Sequence, residues 1–275
     1  MREPSFIRLA IRSLLLPLAG IGAEGLEYCR MRDRLWALYK KNRRLSHAEV
    51  FGHSMRFLRF EDFMRLLDEI FGRKIYSFKT ADHRPLIFDL GANIGMSILF
   101  FKRLFPEARI IAFEPDPRTF EVLQSNVQAN GWKNVELHPL ALAGREGEID
   151  FFTDTGNRSS LVASVYGHRV SGTVKQRVKA APLSKFLGQP ADFVKIDIEG
   201  SEAEVFQELA SSGSLAKIKS LAVEYHHHLV PEEDKLASFL KIFEDHGFGY
   251  SISAPFQHPD SGKHFQDILI HAWQK

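Results

Sequence analysis

The stretch VKIDIEGSE, residues 194–202, carries formal charge on four of its nine side chains, at Lys195, Asp197, Glu199 and Glu202. Side chains alternate between the two faces of a strand, so Val194, Ile196 and Ile198 share one face and Lys195, Asp197 and Glu199 the other. Farther on, LAVEYHHH puts Ala222, Glu224, His226 and His228 on one face of a second strand, with His227 opposite. Carboxylates crowded in this way repel one another unless a cation balances them. Lys195 and a histidine can supply the positive charge, and so can a divalent ion. Two chemistries follow. In one, a carboxylate or imidazole, with Asp197 and His226 as candidates, removes a proton from a bound substrate. In the other, Asp197, Glu199 and Glu224 with His226 hold Mg²⁺ or another divalent metal that lowers the substrate's pKa. The chain offers no closely spaced ligand motif, and carboxylates beside a lysine can neutralise themselves, so the proton scheme is preferred.

A second constellation lies upstream. FDLGANIGMS begins with the apolar Leu86-Ile87-Phe88 and breaks at Asp89, Gly91, Asn93 and Gly95. Glycine lets backbone approach a ligand closely, and Asn tolerates a left-handed conformation, so both suit a tight turn from strand to helix. The next apolar run, RIIAFEPDP, drives into Glu114 and is stopped by Pro115 and Pro117. An acid at the end of a second strand can bind two ribose hydroxyls. A dinucleotide fingerprint G-x-G-x-x-G would need glycine where Asn93 and Met96 stand. The spacing therefore suits a nucleoside without a pyrophosphate, with Asp89 near its amino group.

These residues must be held by a regular frame. Short apolar runs at 85, 108, 134, 191 and 218 alternate with helical segments, which implies βαβ units and a parallel sheet covered on both faces. The last two runs, GFGYSIS and QDILIHAW, leave no room between them for a crossover helix, so the sheet should end in an antiparallel strand. Ser201 and Glu204 are spaced to form a capping box on the helix that follows the charged strand, and Gly213 is placed to end that helix. FEDFMRLLDEIF, from Phe60 to Phe71, carries an apolar helical stripe closed by Gly72.

The chain has 275 residues and a net charge of +2, yet residues 1–50 hold ten Lys/Arg against five Asp/Glu. Its basic character belongs to that segment, which reads as two or three helices within residues 6–45. Pro17, Gly20, Gly22 and Gly25 interrupt any long lipid-facing helix there. A helical cap on the main domain is the preferred reading, and peripheral contact with an anionic membrane surface is the alternative. The single cysteine, Cys29, excludes an intrachain disulfide and a cysteine-based zinc site and fits a reducing, cytoplasmic setting.

Taken in order, FDLGANIG, AFEPDP, NVELHPLALAGREGEIDFF and VKIDIEGSE resemble the FkbM-type family of class I S-adenosylmethionine-dependent methyltransferases, over roughly residues 80–227. The resemblance implies an α/β, Rossmann-like fold with a seven-stranded, mostly parallel sheet of order 3-2-1-4-5-7-6 and helices on both faces. It divides the chain into a basic helical extension, residues 1–59, and a methyltransferase domain, residues 60–275. It implies that Asp89, Gly91, Asn93 and Gly95 hold the methionine part of the cofactor and Glu114 the ribose. Asp116 or the backbone at Leu140 and Ala141 would then meet the adenine. The reaction implied is methyl transfer to a hydroxyl of a sugar, glycan or secondary metabolite, with Asp197, His226, Lys195 and Glu224 at the reacting end. Arg158, Ser159 and Ser160, in a long insertion after the third strand, are candidates for acceptor recognition.

Two other readings compete with this one. The first is a nucleotide-dependent oxidoreductase on a similar sheet. The second is a non-catalytic relative that binds a membrane or a partner through its N-terminal helices. Nucleic acid is not an expected partner, because the near-neutral main domain lacks an extended basic groove.

Overall fold

The computed structural model describes residues 22–154, 173–228, 235–255 and 266–275. The chain separates into two compact units, residues 1–44 and 45–275. In the first, α1 (Ala23–Lys41) has Glu24 in its first turn and Lys40 and Lys41 in its last, which complements the helix dipole. It is the one helix among the described residues of the segment where two or three were expected. Residues 1–21 lie outside the described residues.

The second unit begins earlier than the expected boundary at residue 59. A hairpin of β1 (His47–Val50) and β2 (His53–Arg56) belongs to it. Its backbone is tied to α4 (Pro117–Ala129) and the residue that follows. Asn126 Oδ1 accepts from Arg56 N at 2.7 Å, and Asn130 Oδ1 accepts from Ser54 N at 2.8 Å. These bonds span 70 and 76 residues of sequence, a separation at which local composition carries no information.

The helical stripe from Phe60 forms α2 (Phe60–Leu67) and continues as a π-helical turn, Asp68–Gly72. The main sheet then assembles from β3 (Leu86–Leu90), β4 (Arg109–Phe113), β5 (Val135–His138), β9 (Phe193–Ile196), β10 (Ser220–His227), β11 (Phe248–Ser253) and β12 (Gln266–Gln274). They lie in the order β11-β12-β10-β9-β3-β4-β5. Counting only these seven from the N-terminal end, the order is 3-2-1-4-5-7-6, with β12 antiparallel to both its neighbours. The short strand β6 (Ala141–Leu142) with β7 (Gly147–Asp154) and β8 (Thr173–Ala181) forms a separate three-stranded sheet. Arg158, Ser159 and Ser160 lie between β7 and β8, outside the described residues.

All five residues of β3 are buried, as expected for a central parallel strand with both faces covered. One face packs Phe88, Leu90, Val194, Ile196, Leu221 and Val223 against α5 (Glu202–Ser211) and α6 (Leu236–Asp245). Phe206, Phe239 and Phe243 close that layer with ring centroids 4.9–5.5 Å apart. Burial of each such ring contributes roughly 1.5–3 kcal/mol. The opposite face carries Ile87, Phe193 and Ala222, and Phe101 of α3 (Met96–Leu104) packs on Phe193. Asp89, Lys195, Glu224 and His226 share the parity of this second face, and His226, at the end of its strand, also reaches the first residue of α5.

Candidate active site

The turn after β3 gathers backbone around one point. Gly91 has φ +79°, and its N–H and that of Ala92 both donate to Phe113 O, at 3.0 and 2.9 Å. A Cβ at Gly91 would lie 1.8 Å from the backbone oxygen of Asp197, so the turn passes directly against the end of β9. Asn93 takes the left-handed conformation its residue type allows, φ 49°. Gly95, φ 89°, precedes α3, where a Cβ would meet Leu123 at 2.9 Å.

Glu114 follows β4 and is 6% exposed. Its two carboxylate oxygens accept from Asn93 N and Asp116 N, each at 2.9 Å, so it ties the glycine turn to the start of α4. Burial raises its carboxyl to about 8, against the two backbone amides that favour the anion. Asn93, Glu114 and Gly91 line a cavity of about 800 Å³, a volume that includes the space at its open mouth. Leu140, Ala141, Leu142 and Phe151 form an apolar wall of the same cavity, and Lys195, Asp197, Glu199 and Ser201 stand along its lining.

Three expected ligand residues are placed differently. Asp89 is fully buried and does not line the cavity. Its Oδ2 accepts from Ser97 Oγ at 2.5 Å and its Oδ1 lies 3.5 Å from Lys195 Nζ, so it acts on the cavity through those two lining residues. Asp116 caps α4, accepting from the N–H and hydroxyl of Thr119 at 2.9 and 2.7 Å, and also accepts from Gln176 at 3.0 Å. It and Gly95 are likewise absent from the cavity wall. An acid at a helix N-cap satisfies backbone donors that would otherwise go unpaired, which explains Asp116 without a ligand.

The charged strand is shorter than its alternation suggests. β9 ends at Ile196, and Asp197 N makes a last ladder bond to Leu90 O at 3.1 Å. Glu199 and Gly200 then turn the chain with φ 55° and 116°. Past that point Ile198 still packs against the layer of Val194 and Ile196, and it also reaches the cavity that Asp197 and Glu199 line. Lys195 is 2% exposed and donates to Leu90 O and Gly91 O at 3.2 and 2.5 Å. It lies 3.6 Å from Asp197 Oδ2. Burial pushes its pKa down, but Asp197, Asp89 and Glu224 outweigh that and hold it above its usual range.

His226 is buried beside four carboxylates. Its Nδ1 meets Glu202 Oε1 at 2.7 Å, and its Nε2 lies 3.2 Å from Glu199, 3.8 Å from Asp267 and 3.9 Å from Asp197. Burial lowers its pKa, and Glu199 with Glu202 reverses the sign, raising it to about 10. The expected capping box does not form. Ser201 makes no side-chain cap, and Glu202 instead accepts from Gly200 N at 3.0 Å and from the imidazole. His227 shares the layer of Tyr225, ring centroids 6.0 Å apart, on the face away from His226, and His228 lies beyond the strand.

Several site residues escape sequence reasoning. Leu66, Ile70 and Tyr76 come from the segment ahead of β3 and line the cavity. The Tyr76 hydroxyl donates to Glu224 Oε1, and Lys195 Nζ sits 5.4 Å from the Tyr76 ring centroid, a cation–π arrangement. Burial and the Asp197 charge raise the Glu224 carboxyl to about 8. Tyr76 and Glu224 are 148 residues apart in sequence, and no local pattern announces the pair.

A glycine turn between strand and helix, an acid at the tip of the next strand and a sheet of this order together define a Rossmann-like α/β fold. Residues 89–250 match the model described as the methyltransferase FkbM domain, more than half of the chain, and the chain belongs to that family. "Methyltransferase 1" of Beauveria bassiana is 28% identical over 208 residues, covering 68% of this chain and 81% of that protein. "Hexuronic acid methyltransferase AglP" of Haloferax volcanii is 26% identical over 204 residues, covering 71% and 80%. "2-O-methyltransferase NoeI" of Sinorhizobium fredii is 24% identical over 159 residues, covering 51% and 63%. Family membership removes the oxidoreductase reading. Among the described residues, no helix is long and apolar enough to cross a membrane.

Proposed function

We propose that this enzyme transfers a methyl group from S-adenosylmethionine to a hydroxyl oxygen of a sugar, glycan or other secondary metabolite. The observation that carries the reading is one cavity with a buried acid, Glu114, and two further carboxylates, Asp197 and Glu199, in its lining. The names of two relatives, a hexuronic acid methyltransferase and a 2-O-methyltransferase, support a sugar hydroxyl as acceptor.

The donor fits the residues present. Only glycine fits at 91, where a side chain would strike the Asp197 backbone, and the turn held there against β9 lines the cavity beside Asn93 and Glu114. The Leu140–Leu142 wall suits an adenine ring held by apolar contact and main chain. When bound, S-adenosylmethionine supplies a methyl group on a positively charged sulfur. The chain's own residues do the rest. Glu114 orients the ribose and Lys195 fixes the Gly91 turn through its two carbonyl bonds. Asp197 takes the acceptor's hydroxyl proton. His226, held cationic by the surrounding carboxylates, is not the base in this arrangement, so that task falls to Asp197 alone and Glu202 and His226 position the acidic rim.

The Glu114 carboxyl gives a pH signature. Ribose hydroxyls donate to a carboxylate and so favour its anion, which lowers a pKa that starts at about 8. Binding therefore releases a proton at pH 7, and affinity for S-adenosylhomocysteine should rise as the pH climbs from about 6.5 to 8.5. Calorimetry in buffers of different ionisation enthalpy reads the proton directly. Flat affinity across that range would take Glu114 out of the ligand's contacts.

The reaction itself is tested by incubating the enzyme with methyl-labelled S-adenosylmethionine and a panel of uronic acids, hexoses and polyhydroxylated metabolites. Label recovered as a methyl ether is the expected result. Label recovered on nitrogen or carbon, with none on oxygen, would contradict the proposal.

A further inference from the structure

We propose that His226, Asp197 and Glu199 form a binding site for one divalent cation of the Mn²⁺ or Mg²⁺ kind, with Asp267 as a neighbouring carboxylate. His226 Nε2 lies 3.2 Å from Glu199 Oε2, 3.8 Å from Asp267 Oδ1 and 3.9 Å from Asp197 Oδ1. Ligand atoms of Asp197, Glu199 and His226 all fall within 4.8 Å of one another. Donors at about 2.1 Å from an ion are about 3 Å apart when adjacent and about 4.2 Å apart when opposite, so a small contraction closes this set on one centre.

The cluster is more than a group of acids. The imidazole is buried, and Glu202, itself 1% exposed, holds Nδ1 at 2.7 Å. A carboxylate on the far nitrogen fixes the tautomer and orientation of a metal-ligating histidine. Asp267 sits directly opposite His226 in the β10–β12 register. Its Oδ1 is a buried atom with no hydrogen-bond partner among the described residues, although the side chain as a whole is half exposed. The turn after β9 and strand β10 thus bring three donors together, and Asp267 of β12 lies 3.8 Å from the imidazole. Carboxylates with one imidazole select a hard, oxygen-preferring cation that also accepts nitrogen.

The site adjoins the cavity, whose lining includes Asp197 and Glu199. A cation there would take the acceptor's hydroxyl as a further ligand and lower its pKa, leaving Asp197 with an easier proton to remove. That role rests on the methyl-transfer reading above; cation binding does not.

The test uses full-length protein stripped with chelator and titrated with MnCl₂, with free Mn²⁺ followed by electron paramagnetic resonance. One Mn²⁺ per chain is expected, displaced by excess Mg²⁺. Asp267→Asn and Glu199→Gln should each weaken binding by at least tenfold, and Glu202→Gln by about 10–100-fold. Glu114→Ala should bind Mn²⁺ as the wild type does while losing affinity for S-adenosylhomocysteine, which separates failure of this site from failure of the donor site. Thermal unfolding of each variant identifies any that does not fold, and Asp267→Asn, at the exposed edge, remains the informative one. Absence of stoichiometric Mn²⁺ binding, or binding unchanged in both Asp267→Asn and Glu199→Gln, overturns the proposal.

Discussion

Asp197→Asn should lower turnover by about 10²–10⁴-fold, the range for loss of a general base, while affinity for S-adenosylhomocysteine stays within about threefold of wild type. The substitution keeps the shape of the side chain and leaves the Asp197 N to Leu90 O bond in place. Lys195 retains Asp89 at 3.5 Å and its carbonyl bonds, so the glycine turn stays fixed. Folding should not suffer either, because the Asp197 charge is one of the influences that raise the Glu224 carboxyl and repel it. The expected pattern is a fall in kcat with little change in donor binding. Full activity in Asp197→Asn would move the catalytic centre elsewhere. A parallel loss of donor binding would mean that the residue holds the turn and does not handle the proton.

Gly91→Ala should cost about 2–5 kcal/mol of stability and abolish measurable donor binding. Two penalties combine. The left-handed backbone at φ +79° costs a residue with a Cβ roughly 1–2 kcal/mol. The methyl would also stand 1.8 Å from Asp197 O, which is backbone and can move only by pulling β9 out of register with β3; overpacking of this kind costs about 1–3 kcal/mol or more. A midpoint drop on the order of 10 °C follows for a chain of this size. Gly52→Ala is the control, since Gly52 has φ +81° but nothing within 4 Å of its Cβ position. It should show the conformational penalty alone and keep donor binding. If the two variants behave alike, the close approach of the turn to β9 is not what Gly91 is there to permit.

How much of this could be read in the sequence follows from what each signal encodes. The strands and the antiparallel last one were legible because runs of buried apolar residues and the room between them are local quantities, whereas the strand order came with the family resemblance. Gly91, Asn93 and Glu114 were legible because backbone conformation and strand-tip position restrict residue type. Alternation placed Lys195, Glu224 and His226 on the right face, since all three lie inside strands. It also put Ile198 with Val194 and Ile196, on whose cluster it packs although β9 ends two residues earlier, but it gave no sign that Ile198 reaches the cavity as well. Asp89 reads as a ligand from the glycine spacing and the family resemblance, neither of which carries its burial as the partner of Ser97 and Lys195. Tyr76 and the Glu202–His226 pair could not be found, because each is a contact between elements far apart in sequence. The hairpin at 47–56 was assigned to the extension for the same reason: its anchors, Asn126 and Asn130, lie on a distant helix.

The central claim is that this cavity holds a nucleoside donor through Glu114. Calorimetric titration of S-adenosylhomocysteine into the wild type and Glu114→Ala at pH 8 tests it most directly. The account predicts one site per chain in the wild type and a loss of about a hundredfold or more in the variant, as removal of charge-assisted hydrogen bonds worth roughly 1.5–3 kcal/mol each implies. No binding to the wild type, or equal binding to both proteins, would contradict it.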